Sequence, residues 1–177
     1  MVPVEIIMAA NYLEQLLAEW YEYQGYFLRC NVNVGRRKKG GYECELDIVG
    51  FNPKTRHLLH VEPTMDSDSW AQREKKFTRK FNAGKKYIHS LFDGLDLPEE
   101  IDHRAVFVYA SSKTHKTIGG GRVMHLSEIL ADIFLNLRAK RVSNSAIPEH
   151  LAILRSFQFV AEYRKTIIGV LANGEKA

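Results

Sequence analysis

A chain of 177 residues that is 45% hydrophobic and 26% charged has enough apolar material for one core and the polarity of an ordinary globular protein. No apolar run is long enough to span a bilayer, and the opening MVPVEIIMAANYLEQLL lacks the basic start of a signal peptide. Cys30 and Cys44 are too few for a disulfide framework or a four-thiolate zinc site, so the expectation is a single cytoplasmic domain, 1–177, with no membrane partner.

The first predicted element is a helix over Val4–Gln24, where Ile6, Tyr12, Leu13, Leu16, Leu17, Trp20 and Tyr23 recur at spacings of three and four. Gly25 suits the residue just past its end. Tyr26–Val34 reads as a strand. The loop GRRKKGG follows, with Arg36, Arg37, Lys38 and Lys39 between glycines, a cluster fit to hold phosphates. A second strand is predicted over Tyr42–Phe51. There Glu43, Glu45 and Asp47 alternate with Tyr42, Cys44, Leu46 and Ile48. Asn52, Pro53, Lys54 and Thr55 carry turn chemistry, and His57–Glu62 returns as the partner strand.

Pro63 has no N–H and is expected to stop the ladder. Asp66, Ser67 and Asp68 offer N-caps for a helix from about Ser69 to Leu91. Trp70, Phe77, Phe81, Gly84 and Ile88 form its buried stripe, and Arg73, Lys76, Lys80 and Tyr87 lie along one edge of it. Ala105–Ala110 reads as a strand covered on both faces. Ser111–Gly121 reads as a polar loop with no P-loop pattern, and Ser111, Ser112 and His115 compose no triad. Arg122–His125 is the last predicted strand. Ser127 is expected to cap a helix to about Lys140 that buries Ile129, Leu130, Ile133, Phe134 and Leu137. Pro148 opens a final helix carrying Leu151, Leu154, Phe157, Val160 and Tyr163. The order α-β-β-β-α-β-β-α-α predicts an α/β three-layer sandwich with a mixed central sheet.

Chemistry concentrates in the acidic hairpin. Neighbouring strands lie about 5 Å apart, so Asp47 and Glu62 can meet at one end of it as an oxygen-rich site suited to Mg²⁺. A solvated acidic face is the plain alternative. His57 and His60 are three apart on one strand and face opposite sides, which argues against a shared zinc; His60 shares the face of Glu62. His103, His115 and His125 show no ligand spacing.

Over Asn11–Ile88 the chain resembles the PD-(D/E)XK nuclease superfamily, the restriction-endonuclease-like fold. The resemblance rests on an acidic residue in the first helix (Glu14, with Glu19 as competitor), Asp47 on one strand, Glu62 ending the next, and a helix after it. It implies a metal site of Asp47, Glu62, the Pro63 carbonyl and Glu14, holding Mg²⁺ or Mn²⁺. The pattern asks for Lys where Thr64 stands. Thr64 can orient a water but supplies no charge, so Lys80, then Lys76, on the following helix are the candidates for that catalytic role. By resemblance the expected activity is metal-dependent hydrolysis of phosphodiester bonds in DNA, in repair, recombination or defence, with a homodimer admitted. Arg36, Arg37, Lys38, Lys39 and Arg73 would hold the nucleic acid. The alternative is a catalytically impaired nuclease-fold protein that acts as a nucleic-acid-binding or scaffold module.

Overall fold

The computed structural model describes residues 11–109 and 115–173. The chain divides into two compact units, Met1–Ser127 and Glu128–Ala177.

In the first unit α1 (Tyr12–Tyr23) precedes β1 (Phe27–Arg36), β2 (Tyr42–Asn52) and β3 (His57–Thr64). Then come α2 (Trp70–Leu91), β4 (Asp102–Phe107), β5 (Thr117–Ile118) and β6 (Gly121–His125). The sheet order is β1-β2-β3-β4-β6-β5. β1, β2 and β3 pair antiparallel, β3, β4 and β6 pair parallel, and β5 closes the edge antiparallel to β6. The two helices cover opposite faces. On β4, Ala105 and Phe107 pack with Phe77 and Phe81 of α2, whereas Arg104 donates to the Tyr21 hydroxyl of α1 at 3.0 Å. The result is an α/β three-layer sandwich with a mixed central sheet, a frame compatible with the nuclease-like fold and also with others.

Several boundaries differ from the sequence reading, each for a local reason. The first helix begins at Tyr12 because Asn11 accepts from the backbone N–H groups of Leu13 and Glu14; the predicted start, 4–10, lies outside the described residues. Arg36 belongs to β1, paired with Tyr42, so only 37–41 form the connecting turn. Pro63 does not end β3. The Thr64 carbonyl accepts from Val108 N–H at 3.2 Å, so by alternation Pro63 nitrogen points toward β2, whose pairing with β3 has already stopped at Val61. The N-cap of α2 is Ser69, not Asp66, Ser67 or Asp68: its side chain accepts from Gln72 N–H while Gln72 reaches back to the Ser69 backbone. Trp70 is only partly buried, and Arg73 and Lys80 join the buried face.

β4 lies three residues earlier than predicted, because Asp102–Phe107 pairs with Leu59–Thr64 on one side. Of the predicted polar loop, 111–114 fall outside the described residues, and Thr117–Ile118 form a strand turned into β6 by Gly119 and Gly120, both at positive φ. After β6 come α3 (Leu126–Leu137), a short 3₁₀ turn at Val142–Asn144, α4 (Ala152–Glu162) and α5 (Arg164–Asn173). Ser127 sits inside α3 rather than capping it, and Leu130 and Phe134 are half-buried. The predicted final helix is two helices broken at Tyr163, which is exposed. Gln158 anchors α4 by donating to the Lys140 and Arg141 carbonyls at 3.2 and 3.0 Å.

Candidate functional site

The site forms where the β2–β3 ladder gives out. Pairing runs from Asn52↔His57 to Ile48↔Val61 and then ceases. Continued, it would set Asp47 opposite Glu62; instead Asp47 N–H donates to the Glu62 side chain, Oε1, at 3.2 Å. The irregularity extends to β1. Its register skips the Asn31–Asp47 pair, and Asn31 takes a left-handed φ of 54°. Face parity changes there too, since Cys44 and Leu46 share a core cluster with Val49 and Phe51. A locally broken ladder re-aims side chains, and here it turns Asp47 toward α2.

Lys80 of α2 meets both carboxylates. Its Nζ lies 2.5 Å from Asp47 Oδ1 and 2.7 Å from Glu62 Oε2. Glu62 is 1% exposed, and its Oε1 also lies 2.7 Å from His60 Nε2. The electrostatics follow from this burial. Desolvation, then a carboxyl–carboxyl hydrogen bond and charge repulsion from Glu62, push Asp47 up to about 7 against the pull of Lys80. Burial likewise raises Glu62, opposed by Asp47 and Lys80. The Lys80 ammonium is held above its ordinary value by the two carboxylates, which outweigh its desolvation. The group therefore titrates as one cluster of two carboxylates and one ammonium, with Asp47 losing its proton near neutrality.

The other predicted residues stand around this centre. Glu14 is buried in the first turn of α1 and accepts from Asn11 Nδ2 at 2.5 Å. Its charge and that of Asp47 both act on the Cys30 thiol, which burial raises to about 12. Glu19, its competitor, accepts from Gln15 at 3.1 Å. Thr64 is buried, and its hydroxyl accepts from Asp66 N–H at 3.1 Å. Pro63, beside Glu62, continues the strand. Lys76 pairs with Asp66 at 2.5 Å. Arg73 is buried over the Phe107 ring and donates to the Asp66 and Tyr109 carbonyls. Arg36, Arg37, Lys38 and Lys39 are all exposed at the β1–β2 turn, and among the described residues none of them forms an ion pair. Asp47, Glu62 and Lys80 thus converge, while Glu14, Thr64, Lys76 and Arg73 have other partners and the basic turn stands exposed.

Among the described residues no group of three His, Cys, Asp or Glu side chains is arranged to hold a metal ion. No helix among them is long and apolar enough to cross a membrane.

Neither a protein-family model, nor a curated protein, nor a solved structure matches the chain.

One participant escaped the sequence reading. His103 of β4 lies 3.0 Å from His60 through their Nδ1 atoms. Its signal was topological: His60 and His103 become neighbours only because β3 and β4 pair in parallel, a pairing that no local spacing announces.

Proposed function

We propose that the chain is a nucleic-acid-binding protein on a nuclease-like frame, with its carboxylate pair closed by an internal cation. One observation carries this reading: Lys80 Nζ bridges Asp47 and Glu62, and so already supplies positive charge that a divalent cation would otherwise bring to this pair. The absence of a third side-chain ligand among the described residues and the presence of Thr64 in place of a lysine support it. The four exposed cations at Arg36–Lys39 supply a surface for phosphates that carries no base information. Fluorescence anisotropy with labelled duplex DNA over a salt series tests the binding. Retention that weakens steeply with salt in the wild type is the expected result; no retention at low salt refutes the reading.

A second reading, metal-dependent phosphodiester hydrolysis in DNA, has a specific observation in its favour. The ammonium missing at Thr64 is delivered to the carboxylate pair from α2. The donor set also suits Mg²⁺ or Mn²⁺, since Mg²⁺ is commonly held by one or two carboxylates and keeps several waters. Asp47, Glu62 and the Pro63 carbonyl would hold the ion, which supplies an acidified water and a polarised phosphate when bound. Lys80, released from one carboxylate, would stabilise charge developing on the phosphate. Plasmid DNA incubated with Mn²⁺ separates the two. Nicking by the wild type that Glu62→Ala abolishes establishes hydrolysis, whereas intact plasmid with DNA retention establishes binding alone.

A further inference from the structure

We propose that His60 and His103 are positioning residues for Glu62: a buried imidazole pair, fixed in its tautomers, that holds this carboxylate as an acceptor facing the cation at Asp47. The inference rests on the carboxylate pair being a cation site, a premise common to both functional readings.

Each link in the chain forces the next. Glu62 Oε1 accepts from Asp47 N–H and Glu62 Oε2 from the Lys80 ammonium, two groups that can only donate. Both Glu62 oxygens are thus occupied as acceptors, so in the proposed arrangement Glu62 is the ionised member of the pair and any proton rests on Asp47. Its remaining neighbour, His60 Nε2 at 2.7 Å, must then be an N–H. A neutral imidazole has one N–H, so His60 Nδ1 is a bare acceptor. His103 Nδ1, 3.0 Å away, must supply the hydrogen, which leaves His103 Nε2 bare. That atom is buried without a hydrogen-bond partner. An orphaned lone pair is the less costly way to end such a chain, since orphaned buried N–H groups are the rarer defect. Both rings are buried, which disfavours the imidazolium form.

The fold makes room for the pair at two glycines. A Cβ at Gly84 would stand 2.4 Å from His60 Nδ1 and 3.2 Å from His103 Cε1. A Cβ at Gly121 would stand 2.4 Å from Phe81 and 3.0 Å from His103 Cβ. Phe81 packs edge-on to His60 with centroids 5.3 Å apart and tilted against His103 at 4.9 Å. Apolar side chains would fill this space at lower cost. Two imidazoles placed in line with a carboxylate give its oxygens a fixed direction, as outer partners do for metal-ligating groups.

The test is a long-range ¹H–¹⁵N spectrum of the full chain, whose two-bond couplings distinguish the neutral tautomers. The expected pattern is Nε2–H at His60 and Nδ1–H at His103; the reverse pattern at both overturns the proposal. Mn²⁺ affinity, read from water-proton relaxation, gives the second arm. His60→Leu should weaken it by about tenfold or more, and His60→Gln, which keeps an amide donor toward Glu62, should restore most of it. Equal affinities for the two variants overturn the positioning role. If the wild type binds no Mn²⁺, the metal reading fails and the tautomer spectrum alone decides the proposal.

Discussion

Replacing Lys80 by methionine removes the ammonium and keeps most of the volume of the side chain. The structure fixes what should follow. In the wild type Asp47 sits near 7, raised from 3.8 chiefly by burial. A carboxyl whose folded value is raised stabilises the fold while protonated and loses that contribution as pH rises through the folded value. The window here is from about 4 to about 7, and the linked free energy has an upper bound of about 4 kcal/mol. Lys80 offsets part of this loss, since it pulls Asp47 down. Without it, two nearly buried carboxylates face each other at high pH with no counter-charge. Removing one partner of a buried ion pair costs about 3–5 kcal/mol, and protonation of Asp47 relieves most of that cost when the pH is low. Lys80→Met should therefore lose about 3 kcal/mol at about pH 8 and about 1 kcal/mol at about pH 5. Urea unfolding followed by tryptophan fluorescence measures this, because Trp20 and Trp70 both lie in the first unit. An equal loss at both pH values would refute the coupled cluster, and no loss at high pH would refute the bridge.

Three further outcomes are expected. Neutralising Arg36, Arg37, Lys38 and Lys39 to glutamine should flatten the slope of log affinity against log salt by up to about four units, measured by anisotropy with duplex DNA. Gly84→Ala should lower stability by about 1–3 kcal/mol in a thermal melt despite the better helix propensity of alanine, because its Cβ would stand 2.4 Å from His60 Nδ1 in a rigid pair. Ser69→Ala should cost about 1 kcal/mol through loss of the capping box on α2, with Gln72→Ala adding little once Ser69 is gone.

The elements that local pattern specifies were legible in the sequence. The alternation of Glu43, Glu45 and Asp47 with Cys44, Leu46 and Ile48 gave β2, and the spacing of Phe77, Phe81, Gly84 and Ile88 gave α2 and its buried side. That spacing also put Lys80 at the edge facing the sheet, where it reaches both carboxylates. What depended on pairing was hidden. Pro63 carries a breaker signal that is harmless because its nitrogen faces the vacated side of the ladder. Arg73 has the look of a surface cation, yet it lies buried between α2 and the end of β4 with two carbonyls as partners. His103 has no companion within ligand spacing and finds His60 only through the parallel register of β3 and β4. The break at Tyr163 is marked by neither glycine nor proline, and the sequence on either side of it continues in helix-forming residues.

The charge state of the cluster sets how any external cation would have to enter. Near neutrality Asp47 is partly protonated and the pair faces one ammonium, so much of its negative charge is already balanced. A divalent ion held by Asp47 and Glu62 would have to displace the remaining proton and move the ammonium aside. Uptake would then be linked to proton release, and apparent affinity would rise with pH until Asp47 is fully ionised. Lys80→Met removes the ammonium and the need to move it, although it also raises the proton affinity of Asp47. The two effects separate by pH. Above the titration range of the pair the variant should bind Mn²⁺ more tightly than the wild type, and below it both should bind weakly. Titration of Mn²⁺ at several pH values, read by electron paramagnetic resonance, checks this. If the variant binds less tightly than the wild type at every pH, the ammonium is a partner of the bound ion rather than its competitor. In that case the closed-site reading gives way to the one in which Lys80 works beside a metal.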